Sequence, residues 1–378
     1  MNADKKNIVI IGPAHPLRGG LASFDERLSR AFTEAGHHST IYSFSLQYPS
    51  FLFPGATQYS SEPAPTDIRI VSVINSVNPL NWITVGKALR NLAPDLIVVR
   101  YWLPFMAPCL GTILRKAKKN RKTKVVCIAD NIIPHEKRLA DKAFTKYLIP
   151  PVDAFITMSE KVLADLRLFN TSKPAKLVTH PLYDNFGERV GKADARKKLG
   201  IEPGLRIILF FGFIRKYKGL DLLFHALQIL KQRPEFNNLK LLVAGEYYED
   251  EKPYQELIQR LGISDRLILK TAFIPNGEVK YYLSAADLVV QPYRNATQSG
   301  VTPLAYHFEV PMVVTNVGGL PQLVPDEKVG LVAEPDPESI AGKIERYFAR
   351  GETHFLPYLK EEKKKYSWQK LVDAILSF

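Results

Sequence analysis

Two cations and two glycines form the clearest candidate for chemistry in this chain. Arg215 and Lys218 lie between Gly212 and Gly219, after an apolar run typical of a strand and before one typical of a helix. Cations at the end of a parallel strand match the charge of a diphosphate, whose oxygens arginine and lysine both bind. The segment therefore predicts a diphosphate site, and a pair of exposed loop cations is the alternative.

A second loop contains Gly300, at the point where polar residues give way to a helix-like stretch. Glycine at a helix start lets backbone N–H groups approach an anion, so Ser299 and Gly300 predict a phosphate cradle. No carboxylate occurs between Asp287 and Glu309, although a site for a charged leaving group usually has acids close by. Near the N-terminus, the Gly19-Gly20 pair could accept a phosphate or sugar oxygen, or form a plain turn.

Short apolar runs alternate with amphipathic helical patterns, and these elements must position the loops. Buried strands separated by helices imply parallel sheets, and ligands of such sheets lie at the carboxyl ends of the strands. A helix is predicted over Gly20–Ala35. The predicted strands are Asn7–Gly12, Ser39–Ser43, Leu96–Val99, Lys124–Ala129, Ala154–Thr157, Arg206–Phe211, Leu239–Ala244, Leu267–Thr271, Asp287–Val290 and Met312–Thr315.

A polar passage from Asn170 to Lys192 separates two such sets of strands. We therefore predict an α/β chain of two doubly wound, Rossmann-like domains that face each other across a cleft. The first domain is placed at 1–180 and the second at 181–360. Residues 361–378 are expected to form a C-terminal helix that packs back towards the first domain.

Composition is that of an ordinary globular protein, with 46% hydrophobic and 24% charged residues in 378. Cys109 and Cys127 lack the spacing of metal ligands, so we expect two reduced cysteines that fill the core. The first residues run directly into a strand, which predicts no signal peptide. The apolar window 101–114 is too short and too rich in proline to span a bilayer.

The net charge is +13, and seven of the eleven residues in Leu114–Lys124 are lysine or arginine. A solvated helix face is the ordinary interpretation; an anionic membrane, a polyanionic substrate and nucleic acid are the others. Nucleic acid is the weakest, because no nucleic-acid-binding motif accompanies the charge. Six aromatic residues in Tyr42–Tyr59 predict either a buried loop or, with Trp82 and Trp102, an acceptor- or membrane-contacting surface.

The order of motifs in the second half, with the C-terminal YSWQKL, resembles the retaining nucleotide-sugar glycosyltransferases of family four, which have the GT-B fold. The resemblance covers almost the whole chain, including the Gly19-Gly20 loop. The motifs that carry it are Gly212, Lys218-Gly219, Gly245-Glu246, Phe273-Ile274-Pro275, Asp287, Gly300 and Gly318-Gly319-Leu320-Pro321.

This resemblance implies transfer of a sugar from a nucleoside-diphosphate donor with retention of the anomeric configuration. The second domain would hold the donor and the first the acceptor. No metal or cofactor is implied, because cations and a helix N-terminus stabilise the departing diphosphate. Arg215 and Lys218 would act on the diphosphate. The further donor contacts implied are Gly19, Gly20, Gly212, Glu246, Phe273, Ile274, Pro275, Thr297, Ser299, Gly300, Val301 and Thr302.

The chain departs from the family pattern on both sides of the expected site. Two glutamates eight positions apart are usual, and this chain has Ala296 and Leu304 there. Phe213 follows Gly212 where the family often has its first cation, so Arg215 is displaced by two positions. Gln322 replaces a common glutamate.

On the acceptor side, a usual His-Asp pair reads Ala129-Asp130 in this chain. Asp130 and His135 are the two candidates to face the sugar. A lone histidine such as His135 equally fits a structural role.

We therefore expect a cytoplasmic enzyme, peripheral at the inner face of a membrane, that builds a cell-envelope or exported polysaccharide on a glycan or lipid-linked acceptor. One alternative is a catalytically weakened relative that binds nucleotide-sugar or glycan, which the missing glutamates keep open. Another is a nucleotide-sugar epimerase on the same fold. A pyridoxal-phosphate phosphorylase would need a far longer chain.

Overall fold

The structure of the protein is a computed structural model, which describes residues 5–49, 57–133, 140–169, 172–296 and 299–378. The chain forms two compact units, Met1–Pro181 with Ser367–Phe378, and Leu182–Tyr366. The predicted boundary, between residues 180 and 181, lies one residue before this division. The C-terminal segment that belongs to the first unit begins at Ser367, six residues later than the predicted 361.

The first unit is built on a parallel sheet. Among its described residues, seven strands follow the order β3-β2-β1-β4-β5-β6-β7. Numbered in chain order, the strands are β1 Asn7–Ile11, β2 His38–Leu46, β3 Arg69–Asn75, β4 Leu96–Tyr101, β5 Lys124–Ala129, β6 Ala154–Thr157 and β7 Ala175–Leu177. The helices are α1 Gly20–Glu34, α2 Pro79–Leu92, α3 Ala107–Ala117, α4 Asp141–Leu148, α5 Glu160–Arg167 and α14 Trp368–Leu376.

The second unit repeats the architecture with a sheet that has six strands in its described residues, in the order β10-β9-β8-β11-β12-β13. The strands are β8 Arg206–Phe211, β9 Leu239–Ala244, β10 Leu267–Lys270, β11 Leu288–Gln291, β12 Met312–Thr315 and β13 Gly330–Ala333. The helices are α6 Lys192–Leu199, α7 Leu220–Lys231, α8 Lys252–Leu261, α9 Asn276–Ala285, α10 Val301–His307, α11 Leu320–Leu323, α12 Pro337–Arg350 and α13 Glu352–Glu362.

Burial explains why the central strands were predictable. Every residue of β4 is buried, as are all but the first of β1 and β5. Strands covered on both faces read as continuous apolar runs, which confirms the predicted α/β class with two parallel, doubly wound sheets. Both cysteines are buried in the first core, where burial raises the pKa of the Cys109 thiol to about 12.

In the aromatic segment Tyr42–Tyr59, three of the four described rings pack against the first core and Tyr59 is 42% exposed, so a contact surface stays a prediction. Tyr42 and Phe44 belong to β2, and Phe44 is fully buried. Tyr48 accepts a hydrogen bond from Trp102 Nε1 at 2.7 Å. These rings pack against the first core because β2 extends to Leu46. Phe51 and Phe53 lie outside the described residues.

None of the helices in the described residues combines the length and the apolar character that crossing a bilayer requires.

Candidate functional site

The second sheet has its topological switch point at β8, which lies between β9 and β11. Loops that leave the two central strands of such a sheet diverge and open a crevice at the carboxyl ends. Gly212 follows β8 directly, and the loop that carries Gly300 follows β11. Both loops singled out by sequence therefore begin at the place where α/β sheets bind ligands.

The structure brings three of the predicted residues together here. A Cβ atom built on Gly212 would lie 3.1 Å from Lys218 Nζ and 3.8 Å from Val301 Cγ2. Lys218 Nζ also lies 5.5 Å from the ring centroid of Tyr293. The absence of a side chain at Gly212 thus leaves room for the Lys218 ammonium group close to the start of α10.

Lys218 is half-buried, and burial together with the nearby charge of Arg215 lowers the pKa of its ammonium group to about 8. Within the described ranges, neither cation forms an ion pair with a carboxylate. Two unneutralised positive charges in proximity repel each other, so an anion bound between them would be favoured. A lysine whose pKa is shifted by burial and by a specific neighbouring charge is a candidate functional residue.

The loop after β8, which carries the two cations, is bonded to the loop after β11, which carries Gly300. Arg294 N donates to Tyr217 O at 2.7 Å, and the Arg294 guanidinium pairs with Asp221. Gly219 has a φ of +66°, and a Cβ atom there would lie 2.0 Å from Pro292 O. Only glycine fits this position, which fixes Lys218 relative to the loop after β11.

Internal hydrogen bonds organise the loop before α10. Ser299 Oγ donates to Gln291 Oε1 at 2.6 Å and accepts from Val301 N at 3.1 Å. Thr302 is fully buried, and its Oγ1 lies 3.2 Å from the same Gln291 oxygen. The Ser299 and Thr302 side chains and the Val301 amide therefore hold the loop in place, whereas Gly300 is exposed.

The two positions where the family pattern has glutamates hold buried apolar residues in this chain. Ala296 and Leu304 are only 2% and 6% exposed. A Cβ atom on Gly318, whose φ is +54°, would lie 1.6 Å from Ala296 O, so the backbone at Ala296 is in close contact with the Gly318 turn. Thr297, the predicted partner of a sugar hydroxyl, lies outside the described residues.

The remaining predicted donor contacts follow β9 and β10. Glu246 is 8% exposed and comes two residues after β9. Phe273, Ile274 and Pro275 are half-buried and precede α9, beyond the edge strand β10. They share the carboxyl edge of the sheet with Gly212, with β9 between β10 and β8. Their predicted contact with a nucleobase stays a prediction.

The first unit has its switch point between β1 and β4, and a buried ion cluster occupies it. Arg100, at 2% exposure, donates from Nε and Nη2 to both Asp130 oxygens at 2.5 and 2.7 Å. Its Nη1 lies 3.4 Å from Asp25 Oδ1. A Cβ atom on Gly12 would lie 2.1 Å from Asp25 Oδ2, so the cluster fills the space beside β1.

This cluster was not predicted from the sequence. The available signal was that Arg100 lies near the end of β4 and that Asp130 directly follows β5, the neighbouring strand. Burial raises the pKa of Asp25 well above its usual range against the opposing effect of Arg100. Burial likewise lowers the pKa of His180 to about 4, so this histidine is neutral near pH 7. Asp130 is thus engaged by Arg100, while His135 lies outside the described residues.

The Gly19-Gly20 pair lies at the start of α1, in the same unit. Gly19 is the residue before the helix, and its carbonyl accepts from Ser23 N at 3.1 Å. Gly20 is exposed and opens the helix. The pair belongs to the first unit, whereas Gly212, Lys218 and Val301 belong to the second.

Known proteins resemble both units. The family model described as Glycosyltransferase Family 4 matches residues 18–181, and the model described as Glycosyl transferases group 1 matches residues 191–365. The D-inositol 3-phosphate glycosyltransferase of Segniliparus rotundus is 28% identical over 75% of this chain and 65% of its own length. The lipopolysaccharide core biosynthesis mannosyltransferase LpsB of Rhizobium meliloti is 30% identical over 51% of this chain and 54% of its own. The chain therefore spans only part of each relative.

Solved structures share the fold over nearly the whole chain. Sucrose-phosphate synthase from Thermosynechococcus elongatus has a TM-score of 0.75 at 18% identity and covers 99% of this chain and 98% of its own. Anabaena HepE in complex with UDP-glucose has a TM-score of 0.73 at 15% identity and covers 98% of both chains. Because the two family models together match most of both units, the chain belongs to glycosyltransferase family 4 and has the GT-B fold.

Proposed function

We propose that this protein transfers a sugar from a nucleoside-diphosphate-sugar donor, bound by the second unit, to a glycan or lipid-linked acceptor with retention of the anomeric configuration. The observation that carries the proposal is the pair Lys218 and Arg215 at the switch point of the second sheet. Neither cation has a carboxylate partner in the part of the chain that the structure describes. A bound diphosphate supplies the two negative charges that such a site lacks.

The same residues support a role in the chemical step. As the bond between sugar and diphosphate breaks, negative charge grows on the diphosphate, and contacts that strengthen with this charge lower the barrier. Fixed cations do this without a metal ion, so metal independence is part of the proposal. The first unit is less suited to a diphosphate, because the carboxylates of Asp25 and Asp130 lie at its switch point.

A role in cell-envelope or exported polysaccharide synthesis is supported by the lipopolysaccharide mannosyltransferase among the relatives. The second candidate function is binding of a nucleotide-sugar without efficient transfer. The observation that favours it is the replacement of two carboxylates by Ala296 and Leu304, both buried. Cytoplasmic location at the inner face of a membrane belongs to the first proposal.

One experiment separates these functions. Thermal unfolding of the whole chain is followed with UDP, GDP, ADP and CMP, and a nucleotide at 100 times its Kd stabilises by about 2.7 kcal/mol. Turnover of the corresponding nucleotide-sugars is then measured with and without acceptors, in EDTA and in added Mg²⁺. Binding with turnover supports the transferase, and binding without turnover supports the second candidate. If no nucleotide binds, both are wrong.

Proton uptake on nucleotide binding tests the role of Lys218. In the folded chain without ligand, the pKa of Lys218 is lowered from 10.5 to about 8. Between pH 8 and pH 10.5 the unfolded chain therefore binds more protons than the folded chain, and this group makes the free energy of unfolding rise with pH. A bound diphosphate favours the ammonium form and raises the pKa again. Binding at pH 8.5–9 should therefore take up as much as about one proton, and affinity should fall as pH rises above 8.

The uptake is measured by titration calorimetry in buffers of different ionisation enthalpy. Lys218→Met should abolish it, whereas Lys216→Met, at an exposed lysine of the same loop, should retain it. Equal uptake in wild type and Lys218→Met would assign the proton to another group.

Substitution of Gly300 tests the cradle. Its φ of −71° suits any residue, and an added Cβ atom would lie 3.5 Å from Tyr183, which is ordinary contact. Gly300→Ala should therefore change the free energy of unfolding by no more than about 0.5 kcal/mol. If the phosphate lies on this backbone, Gly300→Ala weakens nucleotide binding and Gly300→Val abolishes it. Gly342→Ala, at a helix position with nothing within 4 Å, is the matched control. Unchanged affinity in Gly300→Val would exclude the cradle.

Membrane association is proposed for a basic-aromatic surface on α4 and on the segment between α3 and β5, formed by Lys119, Lys122, Lys142, Phe144, Lys146 and Tyr147. Phe144 and Tyr147 are 36% and 40% exposed, and the four lysines are exposed. Aromatic rings beside lysines suit an anionic bilayer surface. Within the basic run, Lys118 instead pairs with Asp153, whose other oxygen accepts from Val125 N at 2.8 Å, so Lys118 has a structural role.

Neutralising Lys119, Lys122, Lys142 and Lys146 to glutamine should release the chain from vesicles of phosphatidylcholine with phosphatidylserine, since each surface cation contributes about 1 kcal/mol. Sedimentation of the vesicles measures the bound fraction at low and high salt. Four exposed lysines of the second unit, Lys197, Lys252, Lys270 and Lys328, provide the control variant. If these four glutamine substitutions and high salt both leave vesicle binding unchanged, this surface does not bind the membrane.

A further inference from the structure

The loops that follow β8 and β9 remain paired beyond the ends of their strands. Ile214 N donates to Glu246 O at 2.8 Å, and Tyr248 N donates to Ile214 O at 3.0 Å. The Ile214 side chain is fully buried in the core of the second unit. Residues on either side of a buried residue in extended backbone point the opposite way, so Phe213 and Arg215 share the other face of this loop.

Tyr248 lies on that face and contacts both residues. The Phe213 ring stacks on the Tyr248 ring with centroids 4.0 Å apart and an interplanar angle of 29°. The Arg215 guanidinium lies 5.3 Å from the centroid of the Tyr248 ring, within the range of a cation–π contact. Arg215 is extended at this point, with φ −142° and ψ 149°, and its carbonyl accepts from Lys218 N at 2.8 Å.

The chemistry of this contact matters for an anion site. A carboxylate partner would fix Arg215 but would neutralise its charge. An aromatic ring attracts the guanidinium through its quadrupole and leaves the full positive charge available to a ligand. Burial and, after it, the charge of Arg215 lower the pKa of Lys218, so the charge of Arg215 does act there. The stack thus orients the guanidinium without removing its charge.

We propose that Tyr248, backed by Phe213, is a positioning residue that holds Arg215 beside Lys218 to complete the site for the donor diphosphate. This inference deepens the proposed function and rests on it for the identity of the ligand. Tyr248 acts through Arg215, so removal of its ring should matter only while Arg215 is present.

A double-mutant cycle on the whole chain tests this coupling, with inorganic pyrophosphate as the probe. Tyr248→Leu should weaken pyrophosphate binding about 3- to 10-fold, the range of a single cation–π contact. Arg215→Ala should weaken it at least as much, because it removes the charge-assisted contact itself. Their combination should lose no more than Arg215→Ala alone. Tyr248→Phe, which keeps the ring, should bind as wild type, and Phe213→Leu should show an intermediate loss. Tyr358→Leu, at an exposed tyrosine, is the control.

A second readout needs no ligand and keeps this inference separate from the proposed function. The pKa of Lys218 is followed by NMR after reductive ¹³C-methylation of lysines, with Lys218→Arg to assign the signal. Tyr248→Leu and Arg215→Ala should both raise this pKa, and the double variant should raise it no further. If Tyr248→Leu leaves it unchanged, or shifts it equally without Arg215, the positioning role is overturned. If the coupling is present but no nucleoside diphosphate binds, the proposed function fails and the positioning role stands.

Discussion

Replacing Lys218 by alanine is expected to lower kcat by about 10²–10³-fold, the scale observed when one preorganised donor to a developing anion is lost. The reason is its position beside Gly212 and Val301 at the switch point of the second sheet, half-buried and without a carboxylate partner in the described ranges. Charge that is fixed before the reaction needs no reorganisation as the diphosphate departs. Because Ala296 and Leu304 replace two acids, more of the stabilisation should depend on the cations.

Steady-state kinetics with the donor selected by the nucleotide panel provide the measurement. Arg215→Ala should lower kcat similarly, and the double variant should lose less than the sum, since both cations act on one diphosphate. Lys216→Ala is the matched control, because Lys216 is exposed in the same loop. Full turnover in both single variants, with normal donor binding, would show that the two residues are wrongly assigned. Absence of turnover in the wild type with every donor would favour the binding-only candidate.

The central strands and the convergence of the second site could be predicted from the sequence because both follow from parallel-sheet geometry. A strand buried on both faces shows a continuous apolar run, and its carboxyl end meets that of its neighbours. The predicted Lys124–Ala129, Arg206–Phe211 and Met312–Thr315 have the observed bounds. Gly212 and the Gly300 loop each follow such a strand, and the resemblance to the glycosyltransferases assigned both to the donor.

Three of the four edge strands, β3, β7 and β13, were missed, whereas the edge strand β10 was predicted as Leu267–Thr271. In β3, Ile74 is the single fully buried residue, so Arg69–Asn75 shows no apolar run. β7 has three residues, none of them buried, and β13 is short and begins with glycine. The contact of Tyr248 with Arg215 was equally hidden, because it depends on how β8 and β9 align. Side chains more than thirty residues apart become neighbours only through that register.

Removal of Arg100 should destabilise the first unit strongly, by about 3–5 kcal/mol. Arg100 is the cation that faces two buried carboxylates, Asp130 through two hydrogen bonds and Asp25 at 3.4 Å, and it also lies 3.9 Å from the centroid of the Phe24 ring. Arg100→Met keeps most of the volume but leaves both acids without this partner. Taking one partner from a buried ion pair is costly because the remaining charge is not solvated.

The pH dependence of this loss follows from the carboxyl groups left behind. Burial already raises the pKa of Asp25, and without Arg100 this acid should bind a proton in the folded chain that the unfolded chain releases. Stability gained from such protons is present at low pH and is lost as pH rises through the folded-state pKa. Arg100→Met should therefore be more destabilised at pH 8 than at pH 5, and Arg100→Met with Asp130→Asn should recover part of the loss.

Tryptophan fluorescence reports selectively on unfolding of the first unit, because all three tryptophans, Trp82, Trp102 and Trp368, belong to it. Urea midpoints of the whole chain at pH 5 and pH 8 give the comparison. Asp25→Asn is the matched control: it removes a charge that the fold already disfavours, so its midpoint should change much less than that of Arg100→Met. A loss in Arg100→Met that is equal at both pH values would mean that packing against Phe24, and not charge compensation, is what Arg100 contributes.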